Sequence, residues 1–460
     1  MGWGCFVYRA RLCVGLMVAS AFCLAGCAAT IPRNGISDAK LATEAEIPGM
    51  PGVRFWADDV PKYPIAEIKR RTAHMPPLAR DAKRIDGRPL IETLALSGGG
   101  SDGAFGAGVL AGWTKRGDRP EFQIVTGVSA GAIIAPFAFL GPSEDEKLHV
   151  IWTQYKQNQV ITTQLLPALF GGPALADTTP LADLIAHYVD RDFLDRIAAQ
   201  YRRGRILMVL TTNLDAQRPV VWNMGEIALN KSPRATELFR KVILASAAIP
   251  AAFPPVKIEV EAGGNFYDEL HVDGGTTREV FVLPAEAPLK AFDALYPKPP
   301  IRRFYIIKNG KASPEQEVVK PTTLQIASRA ISTLIKSQNQ GELYHIYRIA
   351  LDAGADFNFM SVPASFDFTT NQIYDPKYQA ALYAEGVREG RRNIWLKTPP
   401  GQAPITMPSR EKTGAPRPGH SSSVPKPPIK APANRPSATV TSKKVAVSGK
   451  WDSTVQTPSP

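Results

Sequence analysis

Beyond residue 27 the chain has no cysteine: Cys5, Cys13, Cys23 and Cys27 are all there are. The remainder can form no disulfide and offers no thiolate to a metal, so a disulfide scaffold and a zinc–cysteine module are both excluded. Histidine is scarce too. His74 precedes the main strands, His149, His187 and His345 fall in helical patterns, His271 in a strand and His420 in the tail. None offers a loop histidine late in the chain, as a serine–acid–histidine triad of the α/β-hydrolase order requires. Nor is there a basic body. Of the net charge of +12, +7 belongs to the stretch from Arg410 onward and +2 to Arg9 and Arg11, leaving +3 between. A nucleic-acid partner is therefore not expected, and the basic tail reads as solvated.

What is present is ordered in blocks. Arg9 and Arg11 precede an apolar run, Leu12–Ala25, too short to span a ~30 Å hydrocarbon core comfortably. It reads as a secretory signal over 1–26. Leu24-Ala25-Gly26-Cys27 resembles the lipobox of bacterial lipoproteins, which implies acylation of Cys27 and anchoring in the cell envelope; Ala28 in place of Asp goes with outer-membrane sorting. Residues 27–90, with scattered prolines, read as a tether and an N-terminal extension, Tyr63–Arg71 as a short helix within it. From 398 the chain turns rich in Pro, Ser and Lys, with 13 of the 41 prolines after Lys397, and reads as a disordered tail.

Between them, 91–397 reads as one α/β domain. Thr93–Leu96 is a short strand, Phe122–Val125 a buried one, and Ala130–Leu140 a buried helix. Arg205–Leu210 with Pro219–Trp222 forms a hairpin, Ala235–Ala248 is a helix stopped by Pro250, and Phe266–Val272 is a strand entering Asp273-Gly274-Gly275. Further strands are expected at Ile301–Ile307 and Phe357–Val362, and further helices at Ser328–Ala353 and Lys377–Arg392.

Two motifs carry chemistry. Gly127-Val128-Ser129-Ala130-Gly131 puts a serine on the sharp turn between strand and helix, where its hydroxyl stands at the carboxyl edge of a sheet. Ser129 is the candidate nucleophile. Ser97-Gly98-Gly99-Gly100-Ser101-Asp102-Gly103 is a glycine-rich turn after the preceding strand, able to aim several N–H groups at one anion. That anion is a cofactor pyrophosphate or the oxyanion of acyl transfer. The pyrophosphate reading wants an acidic residue at the end of the next strand, and that end carries Ser129 instead, so no cofactor is expected. A serine needs a base, and with histidine set aside a carboxylate can serve. Asp215 and Asp273 both end strands, and pattern does not choose between them. Asp102 sits in the glycine nest, where it caps the following helix, turns outward or faces substrate.

Taken together, GGGSDGAFGAG (98–108), GVSAG (127–131), ASAAIPAAFPP (245–255) and DGG (273–275), in that order, resemble the patatin-like phospholipase family. The resemblance covers about 91–283, and 380–386 is loosely similar to the family's terminal helix. It implies a three-layer α/β fold with a mostly parallel central sheet. It also implies lipid acyl hydrolysis by Ser129 with Asp273 as base, an oxyanion hole from Gly98, Gly99, Gly100 and Ser101, and neither a cofactor nor a metal. A lipid or acyl ester is the expected substrate, with a non-lipid esterase or acyltransferase, or an inactive lipid-binding lipoprotein, as alternatives. Two departures stand out. Asp102 occupies a position that is usually Arg or Lys, and Arg278-Glu279-Val280 follows Asp-Gly-Gly where an Asn-containing turn is common.

Overall fold

The computed structural model describes residues 32–58, 80–155, 157–160, 162–163, 176–283, 289–316, 318–370 and 374–401. Cys27 and its leader, the short helix expected at Tyr63–Arg71 and the tail expected beyond 398, apart from 398–401, lie outside them. The described residues belong to one compact unit built on a ten-stranded sheet. Its strands are β1 (Arg54–Trp56), β2 (Arg84–Ile85), β3 (Arg88–Leu96), β4 (Ile124–Val128), β5 (Ile206–Asn213), β6 (Arg218–Asn223), β7 (Val256–Ala262), β8 (Asn265–Asp273), β9 (Ile301–Lys311) and β10 (Asp356–Val362). The principal helices are α1 (Gly103–Arg116), α2 (Ala130–Leu140), α3 (Asp145–Thr153), α4 (Thr179–Tyr188), α5 (Arg191–Arg202), α6 (Pro233–Ser246), α7 (Thr323–Ala353) and α8 (Pro376–Arg392).

Five strands at the middle of the sheet, in the order β5-β4-β3-β9-β10, are parallel throughout. The chain moves from β3 outward to β4 and β5, then returns to the other side of β3 for β9 and β10. The carboxyl edge between β3 and β9 is therefore a topological switch point, where open α/β sheets place their ligands. Both faces are covered, as parallel strands require. Leu94, Leu96, Tyr305 and Ile307 point to a helical layer that includes α1, α2, α6 and α8, whereas Ala95, Phe304 and Ile306 meet Leu343, Ile346 and Tyr347 of α7 on the opposite face. The architecture is thus the expected three-layer α/β fold.

Two findings go beyond the sequence reading. The N-terminal extension supplies a strand: β1 pairs antiparallel with β6, and Arg54 is buried against Glu269 of β8. And β8 has a hairpin partner, β7, whose burial alternates strictly from Val256 to Ala262. The terminal helix α8 lies backbone to backbone on α1. A Cβ at Gly108 or Gly112 would sit 2.2 Å from the carbonyl oxygen of Tyr383 or Val387, and one at Gly386 2.2 Å from that of Phe105. Among the described residues no helix is long and apolar enough to cross a membrane.

Candidate active site

β4 and β8 occupy the same edge of β5. β4 pairs with it in parallel as far as Val128 opposite Leu210, and one residue later antiparallel β8 takes over with Asp273 opposite Thr211. The two strands thus run head-on into each other, and the residues at their tips, Ser129 and Asp273, are brought together. Asp273 is hydrogen-bonded with the Ser129 side chain and accepts from the Gly275 N–H at 2.7 Å. Its own N–H donates to the Ala248 carbonyl at 2.9 Å, just beyond α6. Burial raises the Asp273 carboxyl from an ordinary 3.8 to about 7, the nearby charge of Glu279 adds to the rise, and the bonds from Ser129 and Gly275 oppose it.

The elbow is held rigidly. Ser129 has φ 55° and ψ −122°, a backbone shape that costs a non-glycine residue roughly 1–3 kcal/mol. The flanking glycines are required by close approach: a Cβ at Gly127 would lie 2.3 Å from the Gly131 oxygen, and one at Gly131 2.2 Å from the Leu96 oxygen. The Ser129 N–H donates to Ser246 Oγ at 3.0 Å, and that hydroxyl donates to the Leu210 carbonyl at 2.7 Å. Fully buried Ser246 therefore ties the elbow to β5, a role that its place in the 245–255 motif does not reveal.

The glycine nest faces the elbow, since a Cβ at Gly98 would fall 3.1 Å from that of Ser129. One expectation is corrected here. The Gly98 N–H donates to the Glu279 carbonyl at 3.0 Å, so it is spent on the fold and is not free for an oxyanion. The N–H groups of Gly99, Gly100 and Ser101 have no partner among the described residues. Gly99 (φ 154°) leaves no room for a side chain, its Cβ position being 1.9 Å from the Asn309 oxygen. Buried Asn309 supports the nest from β9, donating to the Ser97 carbonyl at 2.7 Å and accepting from the Gly106 N–H at 3.0 Å. Beside it, Lys308 pairs with Glu279 at 2.9 Å, both nearly buried, and the second carboxylate oxygen of Glu279 has no partner among the described residues.

The other candidates resolve differently. Asp215 pairs with Arg33 at the surface, away from Ser129. Asp102 is neither a cap nor turned outward: its side chain makes no capping bond and accepts from the Tyr378 hydroxyl of α8 at 2.8 Å. Burial raises its carboxyl to about 6 despite that bond. Of the described histidines none hydrogen-bonds Ser129 or Asp273, and His271 is fully buried between Thr211 and Glu269. Among the described residues no cluster of His, Cys, Asp and Glu could hold a metal ion.

An apolar cavity, partly open to solvent, adjoins the site. Ile133 lies one turn into α2 from Ser129, and Ile243 three residues before Ser246. Tyr374 closes the set. Its hydroxyl is pushed up to about 12, first by burial and then by the charge of Asp273. Residues 94–286 match the family model described as Patatin-like phospholipase. That stretch is a patatin-like phospholipase domain. The match supports lipid acyl hydrolysis as its activity in broad terms. No curated protein matches the chain. Among solved structures the chain is similar to VipD from Legionella pneumophila at 13% identity, with a TM-score of 0.32, over 68% of this chain and 69% of that one. A likeness at that score carries no weight for the patatin-like domain's chemistry.

Proposed function

We propose that the protein is a lipid acyl hydrolase of the phospholipase A or lysophospholipase type, working through a Ser129–Asp273 dyad. The observation that carries this reading is the head-on meeting of β4 and β8, which joins a strained serine to a buried carboxylate beside N–H groups that have no partner among the described residues. The Ser129 hydroxyl attacks the ester carbonyl and passes its proton to Asp273 as the C–O bond forms. Gly99, Gly100 and Ser101 donate to the resulting oxyanion. Asp273 returns the proton to the departing alcohol as its C–O bond breaks, and water then cleaves the acyl-serine by the same steps. A carboxyl near 7 suits both directions of transfer at neutral pH. The apolar cavity beside the elbow favours a lipid over a small polar ester.

A fluorophosphonate probe, together with release of fatty acid from mixed vesicles, tests the reading. Labelling and release that both vanish in Ser129→Ala support it, and labelling that survives refutes it. We further propose that acylated Cys27 anchors the protein in a bacterial envelope, where its substrates lie. Incorporation of an alkyne fatty acid that is lost in Cys27→Ser supports the anchor, and incorporation that persists refutes it.

A further inference from the structure

The first half of α7 leaves one face uncovered. From Thr323 to Gln338 none of its described side chains is buried, and the helix packs into the core only from Asn339 onward, through Leu343, Ile346 and Tyr347. Ile326, Ala330 and Leu334 recur at every fourth position and so share a face, with Ala327, Ile331 and Ile335 along one side of them. Ile326 is 54% exposed and Leu334 70%, both alanines are exposed, and Ile331 and Ile335 are half-buried. A single apolar side chain at a surface needs no explanation, but a row of them on one helical face does.

Position and charge say what covers the row. Ile335 Cγ2 lies 4.0 Å from where a Cβ at Gly275 would sit, and the Gln338 amide donates to the Thr277 carbonyl, so the row runs beside the turn that carries Asp273. From Val318 to Gln338 the chain has Lys320, Arg329 and Lys336 and no acid. Arg329 and Lys336 share the polar face with Gln325, bordering the row on the side away from Ile331 and Ile335. Glu315 of the preceding loop offsets part of this charge, pairing with Lys336 at 2.8 Å and accepting from Arg329 at its carbonyl. Apolar side chains bordered by cations are the pattern of a helix lying in the headgroup layer of an anionic bilayer, the apolar groups entering the acyl boundary and the cations meeting lipid phosphates. The same face on a second copy would set cation against cation, and the chain's own segment from Arg410 onward, at +7, is repelled likewise.

We propose that this face of α7 docks on an anionic lipid bilayer and sets the dyad at the bilayer surface. The choice of a bilayer rests on the acyl-hydrolase reading. The test uses the full chain with its four cysteines changed to serine, so that no acylated cysteine anchors it, and a nitrobenzoxadiazole label on Ala330→Cys, in the row, or on Ser332→Cys, an exposed position of the polar face. With vesicles of equal parts phosphatidylglycerol and phosphatidylcholine the first label should shift to the blue and brighten while the second does not, and the response should shrink on pure phosphatidylcholine and in high salt. Ile326→Ser combined with Leu334→Ser should weaken vesicle binding, read from the label at 330, by about tenfold, and leave kcat/KM on a soluble ester at the wild-type value. A label at 330 that stays wet on anionic vesicles overturns the proposal, as does an equal response on pure phosphatidylcholine or one untouched by the double substitution. A label already shielded without vesicles overturns it too: shielding that grows with protein concentration assigns the face to a second copy, and shielding independent of concentration assigns it to another segment of this chain. Vesicle hydrolysis that persists in Ser129→Ala would fail the acyl-hydrolase reading and the choice of a bilayer with it. Ser129-dependent hydrolysis with a wet label at 330 fails the docking alone.

Discussion

Replacing Asp273 by Asn should stabilise the protein at neutral pH, by an amount that depends on pH in a defined way. In the folded protein burial lifts this carboxyl from 3.8 to about 7. Below pH ~4 it is protonated in both the folded and unfolded chains, and it costs the fold nothing. As pH rises from there, the unfolded chain gives up the proton while the folded one keeps it. Stability falls by about 1.4 kcal/mol per pH unit until the folded group ionises near 7. The full cost of about three units is roughly 4 kcal/mol, constant at higher pH. Asparagine can still accept from the Gly275 N–H, so the variant escapes the cost without losing that bond. Urea midpoints for wild type and Asp273→Asn at pH 5, 6, 7 and 8 measure it. The gap should favour the variant, widen to pH 7 and then level off. A gap independent of pH, or one favouring wild type at pH 8, would refute the burial argument.

Other outcomes follow from the same geometry. For wild type, kcat/KM on a soluble ester should be flat above about pH 7 and fall tenfold per unit below it; Glu279→Gln, by removing a charge that helps raise Asp273, should move that limb to lower pH. An unmoved limb would mean that Glu279 does not act on the base. Ser246→Ala strips the partner from the Ser129 N–H and from the Leu210 carbonyl, so it should cost about 2 kcal/mol in denaturant and lower kcat more than it raises KM. Wild-type kcat with unchanged stability would remove Ser246 from the elbow. Tyr378→Phe removes the donor that lowers the Asp102 carboxyl, so the loss of stability should be larger at pH 8 than at pH 5. Equal loss at both would show that the bond does not hold a carboxylate.

What the sequence makes legible is local. A continuous apolar strand, a glycine-flanked serine and a buried helix sit within 124–140, and nothing distant is needed to read them. The same holds for the nest after β3. Asp273 and Asp215 are indistinguishable at that level, because each ends a strand before a turn. What separates them is register: β8 places Asp273 opposite Thr211, beside the tip of β4, while Asp215 lies past the end of β5 against Arg33. The alternation of Val256, Ile258, Val260 and Ala262 with charged residues is the available signal for β7, and the reading that begins at Phe266 passes over it. Ser246, Asn309, Lys308 and Glu279 carry no local signature, since each matters only through what the sheet brings opposite it. The Gly98 N–H illustrates the same limit. Its motif marks it as a donor, and only the return of the chain at Glu279 shows that it is already used.

The collision of β4 with β8 also orders events in time. The serine elbow is built from β3, β4 and α2, neighbours in the chain, and from farther along it takes only the tie that Ser246 of α6 makes to β5. Asp273 arrives with a hairpin from far along the sequence, through non-local antiparallel pairing of the kind that forms slowly. A slip of that pairing by one residue would turn the carboxylate to the opposite face of the sheet. A partly folded chain therefore presents a serine with no base, and hydrolysis reports that β8 has docked in register. On this account the recovery of activity during refolding should lag the recovery of helical signal.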